Sequence, residues 1–251
     1  MPTLSLFDNG AHRNLLLEDL DAGLAIQCNQ HLVVHEGEGM ILDPGGHKVY
    51  NRVLSATLGE LRGGNLRYLF LSHQDPDIVA AANGWLMTTD ADAYCSALWT
   101  RFIPHFGLDR LVEARLHGVP DEGMVLEMKG ARFLVLPAHF LHSPGNLQVF
   151  DCTSKILYSG DLGASVGITY REVTDFDAHL KYMEGFHRRY IAGNKAMRVW
   201  AAMARQLGIE TIAPQHGALF KGKAMVERFI SWCEHLECGI DLLTPYRIPG
   251  R

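Results

Sequence analysis

No two cysteines in this 251-residue chain are spaced CxxC, no glycine loop reads GxGxxG or GxxxxGK[ST], and no apolar run approaches the roughly 18 residues of a membrane span. The glycine patterns would have cradled a nucleotide phosphate, so a bound nucleotide is not expected. The five cysteines (Cys28, Cys95, Cys152, Cys233, Cys238) are odd in number and scattered, which reads as buried reduced thiols rather than a disulfide framework. Basic clusters are also missing. With 23 Lys and Arg against 28 Asp and Glu, a net charge of -5 leaves no electrostatic footprint for nucleic acid. The start MPTLSLFDNGAHRN lacks the basic opening and apolar core of a signal peptide. The expectation is a cytoplasmic protein with neither membrane nor nucleic acid as partner.

What is present is ordinary globular material, 47% hydrophobic and 20% charged, without internal repeats, low-complexity tracts or a Pro/Ser-rich linker. Residues 1–251 are therefore expected to form a single domain. The opening half reads as short strands at LSLF, HRNLLL, LAIQCN, HLVVHE and GMILDPGG. Helical spacing of Val49, Val53, Leu54, Leu58 and Leu61 follows, and then a strand over 66–71. Residues 77–88 read as helix, with mixed structure to about 118. Strands are expected at MVLEMK, ARFLVLP, NLQVFDC, KILYSG and ETIAP, and helices at 177–191, 194–207 and 222–238. Two sheets packed face to face between helical layers suit this order.

Four strand ends carry polar residues of one kind. The run LRYLFLSHQDPD delivers His73, Asp75 and Asp77 at alternate positions as it leaves an apolar strand. His142 follows FLVLPAHFL in HSPGN, Asp161 follows KILYSG in SGDLG, and His216 follows ETIAPQ in PQHG. Singly, a loop Asp is a turn former and a loop His a surface residue. Jointly, three His and three Asp at strand ends point to a metal site. His139, three residues before His142, is a competing donor. Met197, Trp200, Met203 and Leu207, like Met225, Phe229 and Trp232, read as core.

In that order, HxDxD, His before Ser-Pro, SGD and PxHG resemble the metallo-β-lactamase fold superfamily, and within it the flavodiiron proteins and the stand-alone oxygen-binding diiron proteins. The resemblance extends to LDPGG and to GNKAMRVWAAMARQLGIETIAPQHGALFKG. It implies a four-layer αββα sandwich. Hydrolases of the superfamily carry HxHxDH, whereas this chain has Asp75 at the second His position and Ile78 at the last. Carboxylates balance the extra charge of Fe(III) and favour iron over zinc. By the resemblance, His73, Asp75 and His142 hold one iron, Asp77 and His216 the other, and Asp161 bridges both. The loss of a ligand at Ile78 implies an open position on the second iron. Asp43 in ILDPGG is expected to orient a ligand His through its other ring nitrogen, or else simply to form the turn. Tyr190 and Tyr170 either reach the pocket or pack in the core. The remaining histidines, among them His12, His31, His35, His179 and His187, are expected at the surface or in packing.

Flavodiiron proteins draw electrons from a fused FMN domain; no such domain is expected in these 251 residues, and without CxxC no rubredoxin domain is expected either. The resemblance therefore implies a diiron protein that binds molecular oxygen and acts as a sensor towards a signalling protein. A second reading is an enzyme, an oxygen or nitric oxide reductase fed by a separate flavoprotein or rubredoxin. A third is a dizinc hydrolase. Diiron domains of this family pair head to tail, so a homodimer is compatible with the resemblance.

Overall fold

The computed structural model describes residues 3–17 and 26–250. Strands β1 (Thr3–Asp8), β2 (His12–Leu17), β3 (Gln30–His35), β4 (Glu38–Leu42), β5 (Asn65–Phe70), β6 (Asp92–Ser96) and β7 (Leu116–Val119) lie side by side in that order. The first four pair antiparallel, and β4 to β7 pair parallel. The second sheet has the order β13 (Phe220–Lys221), β12 (Thr211–Ala213), β11 (Ile156–Tyr158), β10 (Leu147–Asp151), β9 (Ala131–Pro137), β8 (Met124–Met128). Helices α1 (Tyr50–Leu61), α2 (Pro76–Val79) and α3 (Ala82–Thr88) belong to the first half, and α4 (Phe176–Tyr190), α5 (Asn194–Ala204) and α6 (Lys223–His235) to the second.

Three apolar clusters mark the three interfaces of a four-layer sandwich. Because side chains alternate along a strand, each central strand feeds two of them. In β3, Leu32 and Val34 face the layer of α1 to α3, while Val33 faces the other sheet. In β4, Ile41 and Met40 divide likewise. In β9, Phe133 and Val135 point between the sheets, whereas Leu134 and Leu136 pack towards the layer of α4 to α6. The expected αββα arrangement is what forms.

The two sheets are also tied by a buried polar knot. His12 Nε2 on β2 lies 2.7 Å from Asp151 Oδ2 on β10, and both side chains are fully buried. Asn14 donates to the same oxygen at 2.7 Å and to the Tyr158 hydroxyl at 2.8 Å, and the Ser154 hydroxyl also donates to that oxygen, at 2.8 Å. The Asp151 carboxyl is lowered, since His12, Asn14 and Ser154 outweigh its burial.

Two expectations are corrected. The helix over 77–88 is two helices, broken at Ala80 and Ala81. The strand LAIQCN does not form where it is described: residues 24–25 lie outside the described residues, and 26–29 are loop, with the Asn29 amide donating to Gln215 O instead of a strand partner. Among the described residues no helix is long and apolar enough to cross a membrane.

Candidate metal centre

β9 and β11 both run antiparallel to β10 and β12 is parallel to β11, so their C-terminal ends share one edge of the second sheet. His142, Asp161 and His216 sit in the loops beyond those ends, and His73 and Asp75 in the loop beyond β5 on the first sheet. Gly160, at φ +56, makes the turn into Asp161. A Cβ there would stand 3.2 Å from Ser72 Oγ, so glycine lets the two loops approach.

Pro76 separates the two carboxylates of the HxDxD run. Asp75 is extended, as a residue before proline prefers, while Pro76 opens α2 and carries Asp77 into its first turn. The alternation expected for all three residues therefore stops at Asp75. Asp75 stays with His73 and Asp77 turns towards His216.

The donors fall into two groups. His73, Asp75, His142 and Asp161 place ligand atoms within 4.8 Å of one another, and so do Cys28, Asp77 and His216. His142 Nε2 stands 2.9 Å from Asp161 Oδ2 and 3.5 Å from Asp75 Oδ2, and His73 Nε2 stands 3.7 and 3.6 Å from the same two oxygens. On the other side, His216 Nε2 is 3.4 Å from Asp77 Oδ2 and 3.4 Å from Asp161 Oδ1. Around one ion with bonds of about 2.0–2.2 Å, neighbouring donors sit about 3.0–3.5 Å apart. The two oxygens of Asp161 thus face different groups.

The residues fit a metal. His73 is 1% and Asp161 4% exposed, yet His73 Nε2 and Asp161 Oδ1 have no hydrogen-bond partner. Leaving such buried atoms bare costs about 1–3 kcal/mol each, a cost that an ion bound in each group would remove. Without an ion the charges settle on one another. Burial works against a charged His73, but Asp161 and Asp75 outweigh it and hold the imidazole up at about 8. His216 is likewise held well above its ordinary value, chiefly by Asp161 against the pull of burial. Asp161 is held well below the usual carboxylate range, as His73, His142 and His216 override its burial.

Polar neighbours fix these donors. The Gln27 carbonyl lies 2.7 Å from His216 Nδ1 and can only accept, so Nδ1 carries hydrogen and Nε2 faces the carboxylates. Gln74 donates to Asp75 at 2.9 Å, and Gln215 to Asp77 at 3.3 Å. Asp43 acts one step further out than expected. Its Oδ1 accepts the Ser72 amide at 2.8 Å, and it is the Ser72 hydroxyl that lies 3.0 Å from His73 Nδ1. Burial raises the Asp43 carboxyl to about 6.

Tyr190 stands beside the site, 58% exposed, with its ring 5.9 Å from that of His142 and stacked on Phe186. Tyr170 turns instead to His179, 2.7 Å from its Nδ1. His139 Nε2 meets the Asp121 carbonyl at 3.0 Å and is not among the clustered donors.

The family model described as ODP family beta lactamase matches residues 26–217. The chain belongs to the ODP beta-lactamase family. A solved structure described as the peroxy diiron species of the chemotaxis sensor ODP is 38% identical to it, with a TM-score of 0.86 over 96% of this chain and 98% of the other. The apo state of the chemotaxis sensor ODP from T. denticola is 37% identical, with a TM-score of 0.85 over 96% and 97%. A mutant flavo di-iron protein from Thermotoga maritima is 18% identical, with a TM-score of 0.76 over 92% of this chain. The match covers 60% of that protein's length, and the likeness is one of fold. No curated protein matches the chain.

In this ODP-family chain the orienting groups were the part that sequence reasoning missed. Gln74 and Gln215 adjoin the expected ligand positions and could have been found by adjacency. Gln27 and Cys28 could not, since they come from a segment with no motif.

Proposed function

We propose that this chain is a non-haem diiron protein that binds molecular oxygen at its His/Asp site and reports it to a signalling partner. The observation that carries the reading is the division of the Asp161 carboxylate between two donor groups, each with a histidine nitrogen aimed at it. His73, Asp75 and His142 would hold one iron, Asp77 and His216 the other, with Asp161 shared. Two irons held there would supply electrons and open positions to a diatomic gas.

The chain's own contribution is orientation and restraint. Gln27 and Ser72 set the ring faces of His216 and His73, and Gln74 and Gln215 steady the two carboxylates that are about one-third exposed. These partly exposed carboxylates would let a gas reach the centre from solvent, and the Tyr190 ring stands 5.9 Å from that of His142. The likeness to the chemotaxis sensor ODP at 38% identity supports the sensing role.

The test is oxygen uptake by fully reduced, iron-loaded protein, with and without a continuous electron donor. A sensor consumes about one equivalent and stops in both cases. Sustained consumption with the donor would make the chain an oxygen reductase served by a separate electron carrier, and the same pair of assays with nitric oxide tells which gas it prefers.

A further inference from the structure

Among the described residues, Cys28 is the one cysteine placed with metal-binding groups. Cys95 lies in the apolar cluster under α1 to α3, Cys233 and Cys238 lie in the cluster under α4 to α6, and Cys152 packs against that second cluster. Cys28 belongs to none of the three clusters. It is 7% exposed, its Sγ is 3.4 Å from Asp77 Oδ2, and its ligand atom falls within 4.8 Å of those of both Asp77 and His216.

Two independent observations make this more than a nearby thiol. First, the buried Asp161 Oδ1, without a hydrogen-bond partner, points into the same group at 3.4 Å from His216 Nε2. Second, the segment is clamped on both sides of the cysteine. Before it, Gln27 accepts from His216 through its carbonyl and from the Gly217 amide through Oε1 at 3.1 Å. After it, Asn29 donates from Nδ2 to Pro214 O and Gly217 O, at 2.9 Å each. The thiol and the imidazole are thereby held as one unit.

The second position is also the one with fewer His/Asp donors. Ile78, which follows Asp77, is fully buried in the apolar cluster and offers none, so Asp77, His216 and a shared Asp161 oxygen would leave the second metal with three protein donors. We propose that Cys28 is the fourth, binding the second metal through Sγ and filling from another loop the place that Ile78 leaves without a donor. The proposal rests on the dinuclear reading above. Ligation exchanges one S–H bond for one S–metal bond and releases the proton to solvent, with no change of oxidation state. A thiolate makes this half of the site softer than the other, so the two positions differ in metal preference.

The test is an anaerobic titration with cobalt(II) of the full chain and of Cys28→Ser and Cys28→Ala, following cobalt per chain and the sulfur-to-cobalt charge-transfer absorption in the near ultraviolet. Serine keeps the size of the side chain should alanine disturb the loop. The expected result is two cobalt ions and one sulfur band in the parent. Both variants lose the band, keep the first ion, and bind the second at least about 10-fold more weakly, the lower end of what losing even an outer-sphere partner costs. Two ions bound without a sulfur band would overturn the role of Cys28 and leave the His/Asp centre standing, as would a band that survives in Cys28→Ser. Failure of the parent to bind cobalt stoichiometrically would overturn the dinuclear reading together with this one.

Discussion

Asp161 turns its Oδ1 towards His216 Nε2 at 3.4 Å while its Oδ2 lies against the His73 and His142 side, so a single buried carboxylate joins the two donor groups. Removing it should therefore affect two ions rather than one. In Asp161→Ala, metal analysis after iron loading should fall from two irons per chain to less than one. Asp161→Asn, which keeps the shape, should do the same because the amide cannot balance two cations. Two tightly held irons in either variant would take Asp161 out of the centre.

Metal uptake should depend on pH with a definite sign. The metal-free protein holds His73 at about 8, and a ligand nitrogen must lose its proton to bind. Apparent affinity should rise from about pH 6 to about pH 8, with proton release measurable in weakly buffered solution. The stability of the metal-free protein should run the other way. A histidine raised from its ordinary value contributes about 2 kcal/mol that is fully present below about 6.5 and lost as pH rises through about 8. Melting of metal-free protein should thus drop by a few degrees over that window, and iron-loaded protein should not show the drop.

His187 gives the opposite sign at lower pH. Burial lowers it to about 4, and the neutral ring is used on both nitrogens, Nδ1 lying 2.9 Å from Met183 O and Nε2 accepting the Gly163 amide at 2.9 Å. Its contribution, roughly 3 kcal/mol, is present above about 6.5 and lost as pH falls from there towards about 4. Gly163 lies two residues from Asp161, so acid should loosen the site loop. His187→Gln should flatten the acid limb of the stability profile, and an unchanged limb would assign it elsewhere.

The His12–Asp151 pair should be structural alone. Truncating His12 to alanine leaves a buried carboxylate short of one donor, which costs about 3–5 kcal/mol, read by chemical denaturation. Iron content at low temperature should stay at two per chain, and a loss of metal without a loss of stability would contradict this separation.

The clustering of the candidate donors was legible in the sequence because each follows soon after an apolar strand, five in loops and Asp77 in the first turn of α2, where hydrophobic periodicity stops and a His or Asp has no packing role. The αββα layering was legible for a related reason, since strands such as ARFLVLP are apolar on both faces and must be covered twice. Contacts between residues far apart in the chain were not. His12 and Asp151 are 139 positions apart, and nothing local distinguishes that histidine from a surface one. The relay from Asp43 through Ser72 to His73 depends on how two loops meet, and the break at Ala80 and Ala81 lies inside a run with good helical spacing. Cys28 was hidden twice, as a lone cysteine and within a segment whose composition suggests a strand.

The central claim is that one carboxylate joins two metal positions, and it is tested most directly by anomalous diffraction at the iron edge from crystals of anaerobically iron-loaded protein. Two peaks are predicted, one among His73, Asp75 and His142, the other beside Asp77 and His216, with the Asp161 carboxylate between them. A single peak, or two peaks that Asp161 does not bridge, would contradict it.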